Sequence, residues 1–375
     1  MTSKAIWDKI TRGVFIVAEA GKNFIQTEAD QPVAVYLENA NKLAKIAKEA
    51  GADGIKFQTH TVEDEILNIK FVSPHFPNWK SGDRYGWISR NTQATPVNEF
   101  WRPLKKYCED IGIVFFSTPM SRGAAKRLQE ADTPIWKVGS GDILDFPLLE
   151  YIVSTGKPII ISSGMSTIEE IDMSVNFLKK RRAKFALMHC LSKYPGLPEE
   201  ANLGTIDLYR ERYPGVPIGF SENSIGIEPS LVAVAQGATF VEKHFSLSRD
   251  IWGPDHKVSS TPEELKTMIA QIRKIETNPK EREKWFNHPN FKAIYGVKEK
   301  TLQKGEEVFR PLFRKSLMAG CDIPADTVIT ADMVYAMRPQ ALAGGLPSEK
   351  YEEVIGKKSK NALKKFDPIG TSNLI

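Results

Sequence analysis

IWKVGSGDILDFPLLEYIVSTGKPIIISSG, residues 135–164, reads as strand, helix, strand. IWKVGSG and PIIISSG are short β-rich apolar runs. FPLLEYIVSTG between them has helical spacing and closes on a glycine, the residue that caps a helix in the left-handed region. The alternation continues outward in both directions. Upstream lie VFIVAEAG (14–21), DGIKFQT (53–59) and IVFFSTP (113–119); downstream lie FALMHCLS (185–192), VPIGFSEN (216–223) and TFVEKHF (239–245). Helical stretches separate them, including AVYLENANKLAKIAKEAG, EFWRPLKKYCEDIG, AAKRLQEAD, TIEEIDMSVNFLKK, GTIDLYRERYPG, EPSLVAVAQG and TPEELKTMIAQIRKI. Eight strand–helix units in about 260 residues predict an α/β fold, a (β/α)₈ TIM barrel. A doubly wound open sheet fits less well, because the count is eight and no glycine-rich dinucleotide fingerprint follows the first strand.

The rhythm stops near residue 276. We expect a barrel domain over 1–280, a linker over 281–310 and a small β-rich domain over 311–375. ETNPKEREKWFNHPNFKAIYGVKEKTLQKGEE is charged and poor in aliphatics, so it reads as a linker with one helical turn. The last 65 or so residues are few for independent stability, which predicts packing on the barrel or on a second subunit. About 50 residues separate the second and third strands, more than one loop and one helix need. Their aromatic, turn-rich part, 71–96, is expected to form a lid over the C-terminal face of the barrel.

The chain has 375 residues, which suits two or three domains or one barrel with an appendage. With 41% hydrophobic and 26% charged residues it is neither disordered nor fibrous. Lys+Arg 51 against Asp+Glu 46 leaves +5, too diffuse for a nucleic-acid surface but compatible with a small anionic substrate. Cys108, Cys190 and Cys321 lack the spacing of a disulfide scaffold or a cysteine-rich zinc site. MTSKAIWDKITRG has no apolar core of a signal peptide, and no uncharged run approaches 18 residues. A cytoplasmic protein without a membrane span is the expectation.

Polar residues close each strand. They are Glu19 on the first, Lys56 and Gln58 on the second, Thr118 on the third, and Lys137 and Ser140 on the fourth. Ser162 and Ser163 close the fifth, His189 and Ser192 the sixth with Tyr194 beyond, Ser221 and Asn223 the seventh, and Glu242 and His244 the eighth. Pairs two apart share one face of a strand, so they converge where barrels keep their chemistry. Lys56 and Lys137 lie inside apolar runs, and an unpaired buried charge costs several kcal/mol. They should therefore meet anions, either protein carboxylates or a compact phosphorylated or carboxylated ligand. Lys243 has the opposite parity and is expected to point outward. No Walker motif accompanies them, which argues against a nucleoside triphosphate. His244 with a ligand from the next strand could hold a divalent metal, and GPDHK (253–257) brings Asp255 and His256 to the same rim.

Several of these stretches together resemble the N-acetylneuraminate (sialic acid) synthases and their relatives for other nonulosonic acids. They are FIVAEAG, GADGIKFQT, FFSTP, KVGSGDILDFPLLEYI, GKPIIISSGMST, HCLSKYP, GVPIGFSEN, EKHFSLSRDIWGPDHK and the closing FRKSL, MRP and VIGKK. The resemblance spans nearly the whole chain, and KVGSGD, SSGMST and GPDHK are its most specific parts. It implies a condensation of phosphoenolpyruvate with an N-acylated hexosamine, releasing phosphate, and a C-terminal antifreeze-like (SAF) domain. By this resemblance Lys56, Thr118, Lys137, Ser140, Ser162, Ser192, Tyr194 and Ser221 match positions that hold phosphoenolpyruvate. Glu19, Gln58, Asp142, Tyr194 and Asp255 match positions around the sugar. Arg338 matches an arginine that enters from the neighbouring subunit of a domain-swapped homodimer. His244, and Asn223 in place of a second histidine, match the ligands of a divalent metal, Mn²⁺ or Mg²⁺. Glu242 or Asp255 is the expected proton carrier.

Two departures from the family pattern stand out. Ser221-Glu222-Asn223 replaces Ser-Asp-His at the end of strand seven, and Asn23-Phe24-Ile25-Gln26 replaces Asn-His-Asn-Gly after strand one. They predict a weakened metal site and an acceptor other than N-acetylmannosamine. Two other readings stay open at this level: a Schiff-base aldolase with Lys56 or Lys137 as nucleophile, and a non-catalytic sugar- or anion-binding homologue.

Overall fold

The computed structural model describes residues 1–71, 83–303 and 305–375. Its parallel strands are β1 (Phe15–Gly21), β2 (Gly54–Thr59), β3 (Val114–Pro119), β4 (Trp136–Val138), β5 (Ile159–Ser162), β6 (Phe185–Cys190), β7 (Ile218–Glu222) and β8 (Phe240–His244). They pair in the order β3-β2-β1-β8-β7-β6-β5-β4, and β3 lies beside β4, so the sheet nearly closes on itself. All eight expected strands are present, and the fold is the expected α/β barrel.

Alternation along each strand sorts the side chains. Outward residues such as Ile16, Ile55, Phe57, Ile159, Ile161, Leu187 and Val241 join the core beneath the helices. The helix Val33–Glu49 shows how they are covered: its Tyr36, Ala40, Leu43, Ala44 and Ala47 form one buried stripe. Inward residues near the strand starts (Phe15, Val17, Val114, Phe116, Ile160, Met188 and Phe240) fill the barrel with a second cluster. Gly219 belongs to this layer, and a Cβ there would come within 2.6 Å of the Phe240 ring. The helix Ser3–Arg12, which the strand pattern did not anticipate, closes the bottom with Ile6 and Ile10. The top of the barrel interior is therefore left to polar residues.

Between β2 and β3 the chain is more regular than expected. Asp83 caps the helix Arg84–Ala94 by accepting from the Gly86 amide at 2.9 Å. The helix buries Trp87, Ile88 and Ala94, and a π-helical turn (Val97–Trp101) leads into the helix Arg102–Asp110. Buried arginines at 84 and 90 interrupt the apolar spacing that would have announced it. The remainder of the expected lid, 72–82, lies outside the described residues.

The segment expected as a linker carries two helices, Pro279–Phe286 and Phe291–Tyr295. It is strapped to the barrel mostly by polar bonds to backbone, which explains its few aliphatics. Arg282 donates to the Ala235 carbonyl at 2.6 Å, and Asn202 accepts from the Val297 amide at 2.7 Å while donating to the Glu299 carbonyl at 2.9 Å. Arg310 then forks onto Glu170 at 2.7 and 2.8 Å, and Arg314 donates to Ser166 at 2.8 Å.

The C-terminal domain pairs β9 (Ser316–Ala319) with β10 (Val334–Met337) in antiparallel fashion. It lies on the rim of its own barrel. The Arg338 amide donates to the Glu65 carbonyl at 2.9 Å, and the Leu67 amide returns the bond to the Arg338 carbonyl at 2.9 Å. The resemblance implied that Arg338 serves a neighbouring subunit. In this structure, which holds one chain, Arg338 meets Glu65 and Asp142 of that chain. Among the described residues no helix is long and apolar enough to cross a membrane.

Candidate active site

Register brings the first polar pair together: Glu19 on β1 lies opposite Lys56 on β2. Lys56 Nζ is 2.7 Å from Glu19 Oε2, 3.5 Å from Glu242 Oε1, and donates to Thr118 Oγ1 at 3.0 Å. Lys137 on β4 donates to Ser162 Oγ at 2.6 Å and lies 3.8 Å from Glu242 Oε2. Glu242 thus stands between two ammonium groups. On the other side, Gln58 donates to Glu19 Oε1 at 2.9 Å and accepts from Lys22 at 2.7 Å, and Lys22 is 3.9 Å from Asp255. A continuous polar chain, from Asp255 through Lys22, Gln58, Glu19, Lys56 and Glu242 to Lys137, crosses the floor of one cavity.

Neighbouring ammonium groups separate the two glutamates. Burial pushes Glu19 up, the nearby Lys56 charge opposes this, and Glu242 adds to it, for a pKa of about 7. Glu242 feels the same burial, but Lys137 and Lys56 outweigh it and hold the carboxyl below its ordinary value. Lys56 is lifted, since Glu19 and Glu242 overcome its desolvation. Lys137 is lowered, burial prevailing over Glu242. Two carboxylates with opposite shifts in one site can divide acid and base roles.

Ser140, Ser162, Ser192 and Ser221 stand on the cavity wall with the Cys190 thiol. Ser140 Oγ accepts from the Gly164 amide at 3.1 Å. Glu306 is fully buried behind this wall, and its Oε1 accepts from the amides of Met165 at 2.9 Å and Ser192 at 2.8 Å. Tyr194 meets His244 edge to face, with ring centroids 5.8 Å apart. Opposite the serines, Arg338 pairs with Asp142, and Lys315 lies 2.9 Å from Asp142 and 2.7 Å from Asp145. The Phe313 ring underlies Arg338 at 5.7 Å and Arg84 at 5.1 Å.

Every residue singled out as catalytic, substrate-binding or metal-binding lines this cavity: Glu19, Lys56, Gln58, Thr118, Lys137, Ser140, Asp142, Ser162, Ser192, Tyr194, Ser221, Asn223, Glu242, His244, Asp255 and Arg338. Two other strand-end candidates and one from the rim do not. Ser163 points outward to the Met188 carbonyl and Tyr209 hydroxyl, at 2.7 and 2.8 Å. His189 also points outward, stacking on Phe220 and bonding the Ala201 carbonyl at 2.7 Å. His256 turns away to Ser246 Oγ at 2.6 Å. Lys243 points outward as expected, 3.2 Å from Glu222. Sequence reasoning missed Lys22, Arg84, Met165, Cys190, Phe309 and Phe313 as lining residues. Cys190 alone had a usable signal, the inward parity of Ala186, Met188 and Cys190 on β6.

The expected metal ligands do not make up a site for a transition metal. Asn223 donates its amide nitrogen to the Leu191 carbonyl at 2.6 Å, which leaves its amide oxygen, a weaker ligand than imidazole, for a cation. Glu222 cannot substitute, because it is engaged by Lys243 and by Ser224 at 2.5 Å on the outer face. Among the described residues no three His, Cys, Asp or Glu side chains are grouped to hold an ion. One imidazole with an amide oxygen is a weak donor set for manganese.

Comparison with known proteins gives two family matches, the NeuB family over residues 43–284 and the SAF domain over residues 314–375. The chain is 32% identical to human N-acetylneuraminate-9-phosphate synthase, covering 95% of this chain and 91% of that protein. It is 33% identical to N,N'-diacetyllegionaminic acid synthase of Campylobacter jejuni, covering 91% and 94%. Among solved structures, the spore coat polysaccharide biosynthesis protein SpsE of Bacillus subtilis matches with a TM-score of 0.75 at 28% identity, covering 97% and 95%. The N-acetylneuraminic acid synthetase of Leptospira borgpetersenii, in complex with citrate, matches with a TM-score of 0.59 at 30% identity, covering 80% and 90%.

Proposed function

The chain belongs to the NeuB family, and from that premise we propose that it condenses phosphoenolpyruvate with an N-acylated hexosamine to give a nonulosonic (sialic-type) acid and phosphate. The observation that carries this reading is Glu242 shared between Lys56 and Lys137 under the serine wall. With Glu19 raised to about 7, the two ammonium groups and the one firmly ionised carboxylate between them leave charge for the carboxylate and phosphate of the donor. Thr118, Ser140, Ser162, Ser192 and Ser221 add hydroxyls for its oxygens, while Gln58, Asp142, Tyr194 and Arg338 hold the open-chain acceptor. Fixing both substrates is the largest service such a site can offer a two-substrate reaction.

Carbon three of the donor attacks the aldehyde carbon, and the new C–C bond leaves carbon two cationic. Water adds there, and the tetrahedral intermediate expels phosphate by C–O cleavage. Glu242, held ionised by the lysines, takes the proton from that water. Glu19, near neutrality, gives one to the acceptor oxygen and regains it from Glu242 by way of Lys56 between them, while the hydroxyl proton of the intermediate leaves with phosphate. No step is assigned to a metal, since the donor pair His244 and Asn223 does not fit one. We further propose a homodimer that exchanges C-terminal domains, the rim contacts being the same whichever chain supplies Arg338. A cytoplasmic location suits its three free thiols.

The test is phosphate release from phosphoenolpyruvate across a panel of N-acylated hexosamines, with the bridging oxygen labelled. Release with one acceptor, the label leaving with phosphate, is expected. Silence across the panel would overturn the reading. A lysine adduct trapped by borohydride with pyruvate would replace it with the aldolase, for which Lys137, lowered by burial, is the nucleophile.

A further inference from the structure

We propose that Glu306, a residue of the strap, is a positioning residue for the donor: it ties the loops after β5 and β6 together so that the serine wall keeps its shape. The proposal rests on the synthase reading and deepens it. Glu306 is wholly buried and does not line the cavity. Its Oε1 accepts from two amides that belong to different loops, Met165 at 2.9 Å and Ser192 at 2.8 Å. Its Oε2 accepts from the Gln303 amide of the strap at 3.1 Å. Without the carboxylate, two buried N–H groups would converge on a point that holds no acceptor, which is destabilising.

The loops so joined are the ones that carry hydroxyls. Met165 has a φ of 54°, in the left-handed region that a residue with a Cβ seldom enters. Such a conformation persists only where its surroundings over-determine it, and here the strap does so. Glu306 takes the Met165 amide, while Arg310 and Arg314 donate to the Met165 carbonyl, Arg314 at 2.9 Å. Arg314 also donates to the Ser140 carbonyl at 3.1 Å.

Gly164 carries the effect to the wall. Its amide donates to Ser140 Oγ at 3.1 Å. A Cβ on it would collide with Ser192 Oγ and fall 2.7 Å from Ser140 Oγ, so both hydroxyls lie against its bare Cα. A shift of Met165 therefore moves the surface on which Ser140 and Ser192 rest. In this way a side chain that touches no substrate sets the hydroxyl contacts of the donor.

The experiment separates reach from charge. Glu306→Asp keeps the charge but is one C–C bond, about 1.5 Å, too short to hold both loops from the strap. Glu306→Gln keeps the reach, its amide oxygen replacing Oε1, and loses the charge. Phosphoenolpyruvate is titrated calorimetrically into full-length proteins shown to be folded by their melting curves, and amide hydrogen exchange follows Met165 and Ser192 without ligand. Glu306→Asp should weaken donor binding about 10- to 100-fold and speed exchange of both amides, while Glu306→Gln should stay within about fivefold of the wild type. Arg282→Gln, which frees the start of the strap from the Ala235 carbonyl, should lower the melting temperature and leave donor affinity within about twofold. Equal donor affinity in Glu306→Asp and the wild type would overturn the proposal. So would a Glu306→Gln protein weaker than Glu306→Asp, which would make the effect one of charge, or an Arg282→Gln loss as large as that of Glu306→Asp. Failure of phosphate release in the assay above, with phosphoenolpyruvate still bound, counts against the synthase reading alone; a wild type that binds none overturns both.

Discussion

Glu19 Oε2 lies 2.7 Å from Lys56 Nζ at the floor of the cavity, both side chains almost wholly withdrawn from solvent. The pair joins Gln58 and Lys22 on one side of the site to Glu242 and Lys137 on the other. The charge state of Glu19 therefore bears on the whole row.

Glu19 makes stability depend on pH in a stated direction. Its folded pKa, about 7, is above the ordinary 4.5. A raised carboxyl pKa means the folded state binds the proton more tightly. The resulting stability is fully present below pH 4.5 and is lost as pH rises through about 7. The ceiling is about 3 kcal/mol, at 1.36 kcal/mol per unit. Glu19→Gln stays neutral throughout, so the wild type should lose stability relative to it between pH 5 and 8. Denaturation midpoints of both proteins at the two pH values measure this; a constant difference would refute the shift.

On the proposed reading, Lys137 acts on the donor. Lys137→Gln removes one of the two cations around Glu242 and should weaken phosphoenolpyruvate binding by about 10- to 100-fold, with acceptor KM changed much less. Steady-state kinetics varying each substrate in turn would show the split. An equal rise in both KM values would contradict a donor-specific role.

Asn223 stands where the resemblance implies a second histidine. Asn223→His supplies the second imidazole and should tighten Mn²⁺ binding by at least about tenfold, because imidazole suits such a cation better than an amide oxygen. Electron paramagnetic resonance titration of free Mn²⁺ reads this directly. A wild type that already binds as tightly as the variant would show that the amide is an adequate ligand.

Lys243 is a control outside the cavity. It is buried against Glu222 and donates to the Ser224 carbonyl at 2.5 Å. Lys243→Met leaves an unpaired buried carboxylate and should cost about 3–5 kcal/mol of stability. Donor affinity of the folded fraction should be unchanged. Urea denaturation with a parallel phosphoenolpyruvate titration tests both halves.

Much of the site was legible in the chain because a barrel strand has a period of two. Lys56 with Gln58, Ser221 with Asn223, and Glu242 with His244 each declared a shared face, and closure carried those faces inward. Parity applied to single residues would also have removed Ser163 and His189, which share no face with Ser162 and Ser192. Buried arginines hid the helix Arg84–Ala94, because periodicity counts apolar residues while a guanidinium can be buried over an aromatic ring.

The sequence by itself determined the eight-stranded barrel, its second small domain and which strand ends carry polar groups, since these follow from local spacing. Only the tertiary structure decided which charges meet. Lys56 touches both Glu19 and Glu242, Arg338 comes back to its own barrel, Glu306 reaches the Met165 and Ser192 amides from the strap, and Arg84 is left without a partner among the described residues. Those contacts join residues tens to hundreds of positions apart. They depend on strand register and on the path of the strap, and no local pattern encodes either.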